Sequence, residues 1–225
     1  MTLNPEIYTP EAMAGKPITV ATCFWEPNVT SYDFSRAYTT QWVEKLFTGF
    51  RDKLSRPMKF VVFTDKIRQY STPLIEQRLL ETNPPSYAAM LEPFKLNEPM
   101  IVVGLDTIVT GSCDEMADYC FYGDRIAVPR DPFYPDKLCN GVALVPAGQA
   151  WLWNNRNLEL SDMEWVRANA DRMAVIDNLF PGQCKSFKGE VKSNGPGDAR
   201  IVYFHGFPKA DTLGHIGWIA RAWGT

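Results

Sequence analysis

The sequence I-T-V-A-T-C-F, residues 18–24, decides the fold class of this chain. It is β-branched and apolar on both faces, which is typical of a strand buried inside a parallel sheet. Apolar side chains then recur every four positions from Phe34 to Leu54, which predicts a helix with one core-facing stripe. The run K-F-V-V-F-T at residues 59–64 predicts a second strand. Strand, helix and strand at this spacing form a βαβ unit with a right-handed crossover.

Further apolar runs extend this pattern to the end of the chain. They predict a helix over residues 73–81 and strands at Met100–Val103, 126–128, Val142–Val145 and 201–204. A length of 225 residues fits one large α/β domain better than two small ones. We therefore expect a single α/β domain over residues 18–225, with a Rossmann-like, mostly parallel central sheet flanked by helices. Residues 1–17, which include three prolines, are expected to form an N-terminal arm.

The composition excludes several classes of protein. The net charge is −3 and no basic run stands out, which disfavours nucleic-acid binding through phosphate neutralisation. The five cysteines form no C-x-x-C pair, which favours reduced thiols in a cytoplasmic compartment. No apolar run approaches the roughly 20 residues of a transmembrane helix, so we expect no transmembrane segment.

Candidate site residues follow the predicted strands. Ligands bind outside the carboxyl ends of the strands in open α/β sheets. The side chains predicted at these ends are Thr22, Phe24, Trp25, Asp65, Asp106 and His205. An aspartate after one strand and a histidine after another are able to hold one metal ion between them. The sequence therefore predicts a metal site formed by Asp106 and His205.

Residues 201–209, I-V-Y-F-H-G-F-P-K, carry the most specific motif. His205 can ligate a metal, Gly206 lets the backbone approach a ligand, and Lys209 supplies positive charge. This order of residues suits a site that holds a diphosphate. The ordinary alternatives are a histidine satisfied at a strand end and a solvated surface lysine.

These motifs resemble the retaining, nucleotide-sugar-dependent glycosyltransferases of the GT-A fold, glycogenin-like in the broad sense. The resemblance covers residues 18–223. It is carried by F-T-D ending at Asp65, S-Y-A-A-M-L-E-P-F before G-L-D-T-I-V-T-G-S, C-N-G-V-A-L-V-P-A-G, and S-F-K followed by the motif at residues 201–209. It implies transfer of a sugar from a nucleoside-diphosphate sugar to an unknown acceptor, which is a glycan, a lipid or a protein.

The resemblance also implies roles for individual residues. Asp106 is similar to the second acid of the family's D-x-D motif, and His205 to the histidine that completes a Mn²⁺ or Mg²⁺ site. An imidazole with oxygen ligands suits Mn²⁺ better than Mg²⁺. Lys209 would contact the diphosphate, and Gly206 would let a backbone N–H reach it. The remaining positions implied to bind nucleotide or sugar are Thr22, Phe24, Trp25, Tyr38, Asp65 and Asn140, with Asp171 as a catalytic candidate beside Lys209.

Three departures from the family pattern stand out. Gly104 occupies the position of the first D-x-D acid, Met90 that of a lysine near the diphosphate, and Ala210 that of a proline. Loss of one acid and one cation together either leaves the charge balance of the site nearly unchanged or marks a weakened donor site.

Other interpretations stay open at this point. Asp106 and Asp65 are also suited to capping turns, Tyr38 to core packing, and Asp171 to a helix surface. A binding protein on the same fold, without turnover, is the main alternative function. A nucleotidyltransferase is less favoured, because residues 23–29 contain no glycine for a phosphate loop.

Overall fold

The computed structural model describes residues 15–224. Ten strands are present in this part of the chain: β1 Ile18–Phe24, β2 Met58–Thr64, β3 Ile75–Leu79, β4 Met100–Val103, β5 Thr107–Val109, β6 Ala127–Val128, β7 Val142–Val145, β8 Ala174–Val175, β9 Cys184–Ser186 and β10 Ile201–Tyr203. The predicted arm at residues 1–17 lies outside the described residues except for its last three positions.

Seven of these strands form the central sheet, in the order β3-β2-β1-β4-β7-β6-β8. β1 lies parallel to β2 and β4, and β2 lies parallel to β3. β7 runs antiparallel to β4 and β6, while β6 and β8 are parallel. The expected mostly parallel α/β sheet is therefore confirmed.

Short helices cover both faces of this sheet. The α-helices are α1 Tyr32–Ser35, α2 Thr40–Arg51, α3 Asp114–Tyr122, α4 Trp151–Asn154, α5 Asp162–Ala168, α6 Ile176–Leu179, α7 Lys192–Asn194 and α8 Gly217–Trp223. The 3-10 segments are Tyr87–Leu96, Ala170–Arg172 and Ala210–Leu213, and Phe187–Val191 is a π-helical turn. None of the helices in the described part of the chain is long and apolar enough to cross a membrane.

The core has two layers, one on each face of the sheet. Side chains alternate along β4, because successive residues of a strand point to opposite faces. Ile101 and Val103 therefore pack with the residues of α2, whereas Met100 and Val102 pack with Leu91 on the other face.

The prediction of a helix over residues 73–81 is wrong. Residues Ile75–Leu79 form β3, which is an edge strand of the sheet and pairs with β2 alone among the described strands. Glu76 and Arg78 lie on the same side of this strand and form an ion pair at 2.8 Å. Charged side chains are tolerated there because an edge strand is open to solvent.

A second, three-stranded sheet was not expected from the sequence. β10 lies between β5, to which it is antiparallel, and β9, to which it is parallel. The predicted strand before His205 thus exists, but it belongs to this small sheet and not to the central one. β5 follows β4 after only three residues, so the small sheet stands directly beside the end of the central sheet.

Candidate functional site

A cleft of about 390 Å³ opens at the carboxyl ends of β1 and β4. β7 begins at the same edge because it runs antiparallel to β4. Eight of the residues predicted from the sequence line this cleft: Phe24, Trp25, Tyr38, Asp106, Asn140, His205, Gly206 and Lys209. The cleft thus brings together residues more than 180 positions apart in the chain.

Three predicted residues are not among those that line the cleft. Thr22 is completely buried within β1. Asp65 accepts a hydrogen bond from the backbone N–H of Glu26 at 3.2 Å and pairs with Arg68 at 2.7 Å. Asp171 is exposed on the 3-10 turn Ala170–Arg172. The structure does not bring Asp171 to the cleft.

A buried ion pair joins Asp106, which follows β4, to Lys209, which follows β10. The ammonium of Lys209, which is 2% exposed, contacts Oδ2 of Asp106, which is 7% exposed. The hydroxyl of Tyr38 donates to the same oxygen at 2.8 Å and accepts from Lys209 at 3.0 Å. In this Asp106–Lys209–Tyr38 triad each polar group therefore has the other two as partners. Buried charges are stable only when they are paired in this way.

Tyr38 acts in this triad as a neutral donor. Burial and the neighbouring Asp106 carboxylate hold the pKa of its hydroxyl well above the ordinary value. Tyr38 lies in the break between α1 and α2, four residues before Trp42, and its ring packs against the Trp42 ring at 5.1 Å. The break turns its hydroxyl toward Asp106 while its ring stays in the core.

His205 lies two residues beyond β10 and is kept neutral by its surroundings. Burial, followed by the nearby Lys188 ammonium, lowers the pKa of its imidazole. Nδ1 lies 3.4 Å from the Ser186 hydroxyl, and the ring meets the Phe133 ring edge-on at 5.4 Å. Nε2 is buried without a hydrogen-bond partner among residues 15–224. A neutral, unpartnered imidazole nitrogen is the form that binds metals.

The donor set in the cleft fits a metal ion that shares its ligands with a bound molecule. His205 offers Nε2, and Asp106 retains one oxygen outside the triad, on the side of Gly104. No group of three His, Cys, Asp or Glu side chains in the described residues is arranged to hold a metal. Two protein donors leave coordination positions for the oxygens of a ligand, as is common where a cation bridges to phosphate.

Gly104 determines the space around Asp106. A side chain here would begin 3.0 Å from Oδ1 of Asp106. The position of the first acid of a D-x-D motif thus carries no side chain, and Oδ1 of the remaining acid, Asp106, lies close against it. Met90, at the second of the three departures from the family pattern, also lines the cleft and adds apolar surface.

Asp162 is a buried acid of the cleft that the sequence analysis missed. It lies at the start of α5 and accepts a hydrogen bond from Asn140 at 2.8 Å. Burial raises the pKa of its carboxyl from 3.8 to about 6. The signal was present, because Ser161 and Glu164 form a capping box that fixes the start of α5 just before Asp162.

Aromatic rings form one wall of the cleft. Phe34 stacks on Tyr87 with ring centres 4.2 Å apart, and Trp25 meets Phe34 edge-on at 6.0 Å. The indole N–H of Trp25 donates to Ser31 at 3.1 Å, which fixes the orientation of its ring. A flat ligand such as a nucleobase would find stacking surface here.

A second cavity, of about 750 Å³, lies between α2 and α8 and contains none of the predicted residues. Its charged groups include Lys45, Asp52 and Arg221, so both signs are mixed. It lies away from the strand ends where ligands of open α/β sheets bind. The strand-end cleft is therefore the candidate functional site.

The chain has the fold of the GT-A glycosyltransferases, as comparison with solved structures shows. WbbM, a bifunctional glycosyltransferase, gives a TM-score of 0.59 at 10% identity over 86% of this chain. The galactosyltransferase LgtC, solved with donor and acceptor sugar analogues, gives 0.53 at 13% identity over 92%. GlyE of Streptococcus pneumoniae TIGR4 gives 0.58 at 13% identity over 87%.

The extent of these similarities differs. The chain spans 46% of WbbM and 56% of GlyE, but 95% of LgtC. No protein-family model matches the sequence, and no curated protein matches it. The similarity therefore defines the fold, and the activity has to be argued from the site.

Proposed function

We propose that this protein is a glycosyltransferase that transfers a sugar from a nucleoside-diphosphate sugar to an acceptor. One observation carries the proposal: the Asp106–Lys209–Tyr38 triad and His205 occupy a single cleft at the carboxyl ends of β1 and β4. This is the edge at which open α/β sheets bind nucleotides. Residues 18–225 form one catalytic domain in this proposal.

Asp106 and His205 would hold a divalent cation, Mn²⁺ in preference to Mg²⁺, together with oxygens of the diphosphate. When bound, such a cation offsets the negative charge that develops on the leaving diphosphate. Lys209 would have the same role: its ammonium is paired with Asp106 and would be shared between that carboxylate and a phosphate oxygen. Gly206 has a φ of 61°, so its backbone can turn an N–H toward the ligand without a side chain in the way.

The donor sugar would lie against Asn140 and Asp162. These two hydrogen-bonded polar groups line the cleft and suit the hydroxyls of a sugar, which both donate and accept hydrogen bonds. Phe24, Trp25 and the stacked Phe34–Tyr87 pair would hold the base. Asp171 receives no role, since it does not line the cleft.

The stereochemical course proposed here is retention, and it rests on the resemblance. In that case a phosphate oxygen of the leaving group can take the proton of the acceptor hydroxyl. No dedicated base of the protein is then required. The acceptor is a glycan, a lipid or a protein. We place the reaction in a reducing, cytoplasmic compartment because all five cysteines are buried as free thiols.

A donor-hydrolysis assay tests this proposal. The protein is incubated with Mn²⁺ and a panel of UDP-, GDP-, ADP- and CDP-sugars, and release of the nucleoside diphosphate is measured. We expect slow release from one donor class, which Lys209→Met suppresses. Release from none of the donors, with or without candidate acceptor sugars, would contradict a transferase.

A nucleotide- or glycan-binding protein on the same fold is the second candidate. The observation in its favour is the closed ion pair between Asp106 and Lys209, beside the empty position of the first acid at Gly104. Calorimetric titration separates the two functions when combined with the assay above. Metal-dependent nucleotide binding without hydrolysis or transfer on the full donor panel would favour the binding protein.

A further inference from the structure

Lys188 places a second positive charge beside Gly206, a residue that lines the cleft. It lies on the π-helical turn Phe187–Val191, which directly follows β9. Its ammonium stands 3.1 Å from the point where a β-carbon on Gly206 would be. Lys188 therefore lies over the His205–Gly206 turn, which itself lines the cleft.

The turn that carries Lys188 is firmly anchored. The Phe187 ring is buried and stacks on Phe204 with centres 4.6 Å apart. The Ser186 hydroxyl accepts from the N–H of Gly189 at 3.2 Å, and the Glu190 carboxylate accepts from the N–H of Ser186 at 2.8 Å. π-Helical turns are rare and often occur at functional sites. The backbone of Lys188 is thus held in place, while its side chain is only partly buried.

The two lysines of this region differ in their partners. Lys209 is buried and neutralised by Asp106. The ammonium of Lys188 forms no ion pair or hydrogen bond with any of residues 15–224. A diphosphate beside Gly206 would therefore share the Lys209 ammonium with Asp106. The Lys188 ammonium, in contrast, would pair with the diphosphate alone.

We propose that Lys188 is a second diphosphate-binding residue, which acts beside the His205–Gly206 turn in addition to Lys209. This inference rests on the proposed function and extends it, because it assigns the diphosphate a second lysine in addition to Lys209. Gly206 is then required for two reasons: its backbone conformation, and the absence of a side chain between Lys188 and the ligand.

The test compares ligands that differ only in phosphate. The nucleoside diphosphate that binds the wild-type protein best is titrated by calorimetry, together with its nucleoside, in the presence of Mn²⁺. Lys188→Met should weaken nucleoside-diphosphate binding roughly tenfold, the usual worth of one charge-assisted hydrogen bond, and leave nucleoside binding unchanged. Lys188→Arg should retain most of the affinity.

Lys192→Met is the matched control, since it removes the same charge from an exposed lysine four residues away. The inference is overturned if Lys188→Met loses no more affinity than this control, or if nucleoside binding falls equally. The difference in nucleoside-diphosphate affinity between wild type and Lys188→Met should also become smaller at high salt, because salt screens a partly exposed charge. If the wild-type protein binds no nucleoside diphosphate, the proposed function itself falls; if it binds and Lys188→Met matches the control, only this inference falls.

Discussion

The carboxylate of Asp106 serves two cations in the proposed site. In the structure its Oδ2 is held by Lys209 and Tyr38. A metal on the remaining oxygen would bring a second positive charge next to the Lys209 ammonium. A bound diphosphate relieves this repulsion, since it offers Lys209 another anionic partner. Metal and nucleotide are therefore expected to strengthen each other's binding, and this coupling is reciprocal by necessity.

His205 is the residue on which this coupling depends. We expect His205→Ala to remove the Mn²⁺-dependent gain in nucleotide affinity, at least about tenfold, because the only imidazole donor of the cleft is lost. Titration of the nucleoside diphosphate with and without Mn²⁺ measures this gain. His215→Ala, which alters the other histidine of the chain at an exposed position, should leave it intact. An unchanged Mn²⁺ effect in His205→Ala would remove this residue from the site.

Asp162 gives the folded protein a characteristic pH dependence. The pKa of its carboxyl rises from 3.8 to about 6 on burial, so the folded state holds this proton more tightly than the unfolded state does. The contribution of Asp162 to the free energy of unfolding therefore falls as the pH rises from about 4 to 6. At pH 7 the group is ionised and its burial is a net cost.

Asp162→Asn should relieve that cost and keep the hydrogen bond from Asn140. We expect the variant to be more stable than wild type at pH 7, by about 1–3 kcal/mol, and this advantage to vanish near pH 4. Urea denaturation at both pH values measures the difference, while donor hydrolysis should drop. The exposed Asp171→Asn should change neither property. Loss of hydrolysis in Asp171→Asn alone would restore the catalytic role that the sequence suggested for that residue.

At the level of elements, breaks in regular structure bring the polar groups together. The four-residue spacing from Phe34 to Leu54 predicts one continuous helix, but the chain forms α1 and α2 with Tyr38 between them. Thr39 has an extended backbone and is the N-cap residue that precedes α2. Periodicity identifies the buried face of this segment correctly, yet carries no information about where the helix is interrupted.

Local propensity also failed at the edge of the sheet. Residues 73–81 are rich in Leu, Glu, Gln and Arg, which favour helices. Pairing with β2 decides the outcome, because five backbone positions of β3 align with residues Phe60 to Thr64. Such tertiary pairing is not encoded within the segment itself. The buried strands β1, β2, β4 and β7 were predictable because their apolar runs have no competing interpretation.

The junction between the two sheets depends on Gly141. A β-carbon at this position would lie 2.6 Å from the Tyr203 ring. The backbone carbonyl of Gly141 accepts a hydrogen bond from the N–H of Gly104 at 3.1 Å. We expect Gly141→Ala to lower the free energy of unfolding by about 1–3 kcal/mol through this overlap. Urea denaturation should show no comparable loss for Gly217→Ala, where the nearest side-chain atom is 3.5 Å away. Equal stability of both variants would contradict this packing.

For the whole molecule, the sequence predicts that the site lies at the carboxyl ends of the strands, but it does not predict every residue of the site. Eight of the eleven predicted residues line the cleft, because the strand ends and the motif at residues 201–209 mark its position directly. Asp162 was missed, and so was the proximity of Lys188 to Gly206, since these two residues lie on α5 and on the turn after β9, neither of which is a strand of the central sheet. Side chains supplied by such flanking elements depend on packing between segments, which one sequence does not reveal.

The central claim is that the cleft binds the diphosphate of a nucleotide-sugar. The most direct measurement is a crystal structure of the protein soaked with Mn²⁺ and a nucleoside diphosphate, with anomalous scattering to locate the metal. We predict a manganese peak at Asp106 and His205, with the diphosphate against Lys209. A nucleotide bound only in the cavity between α2 and α8, or a cleft that stays empty at saturating nucleotide, would contradict the account.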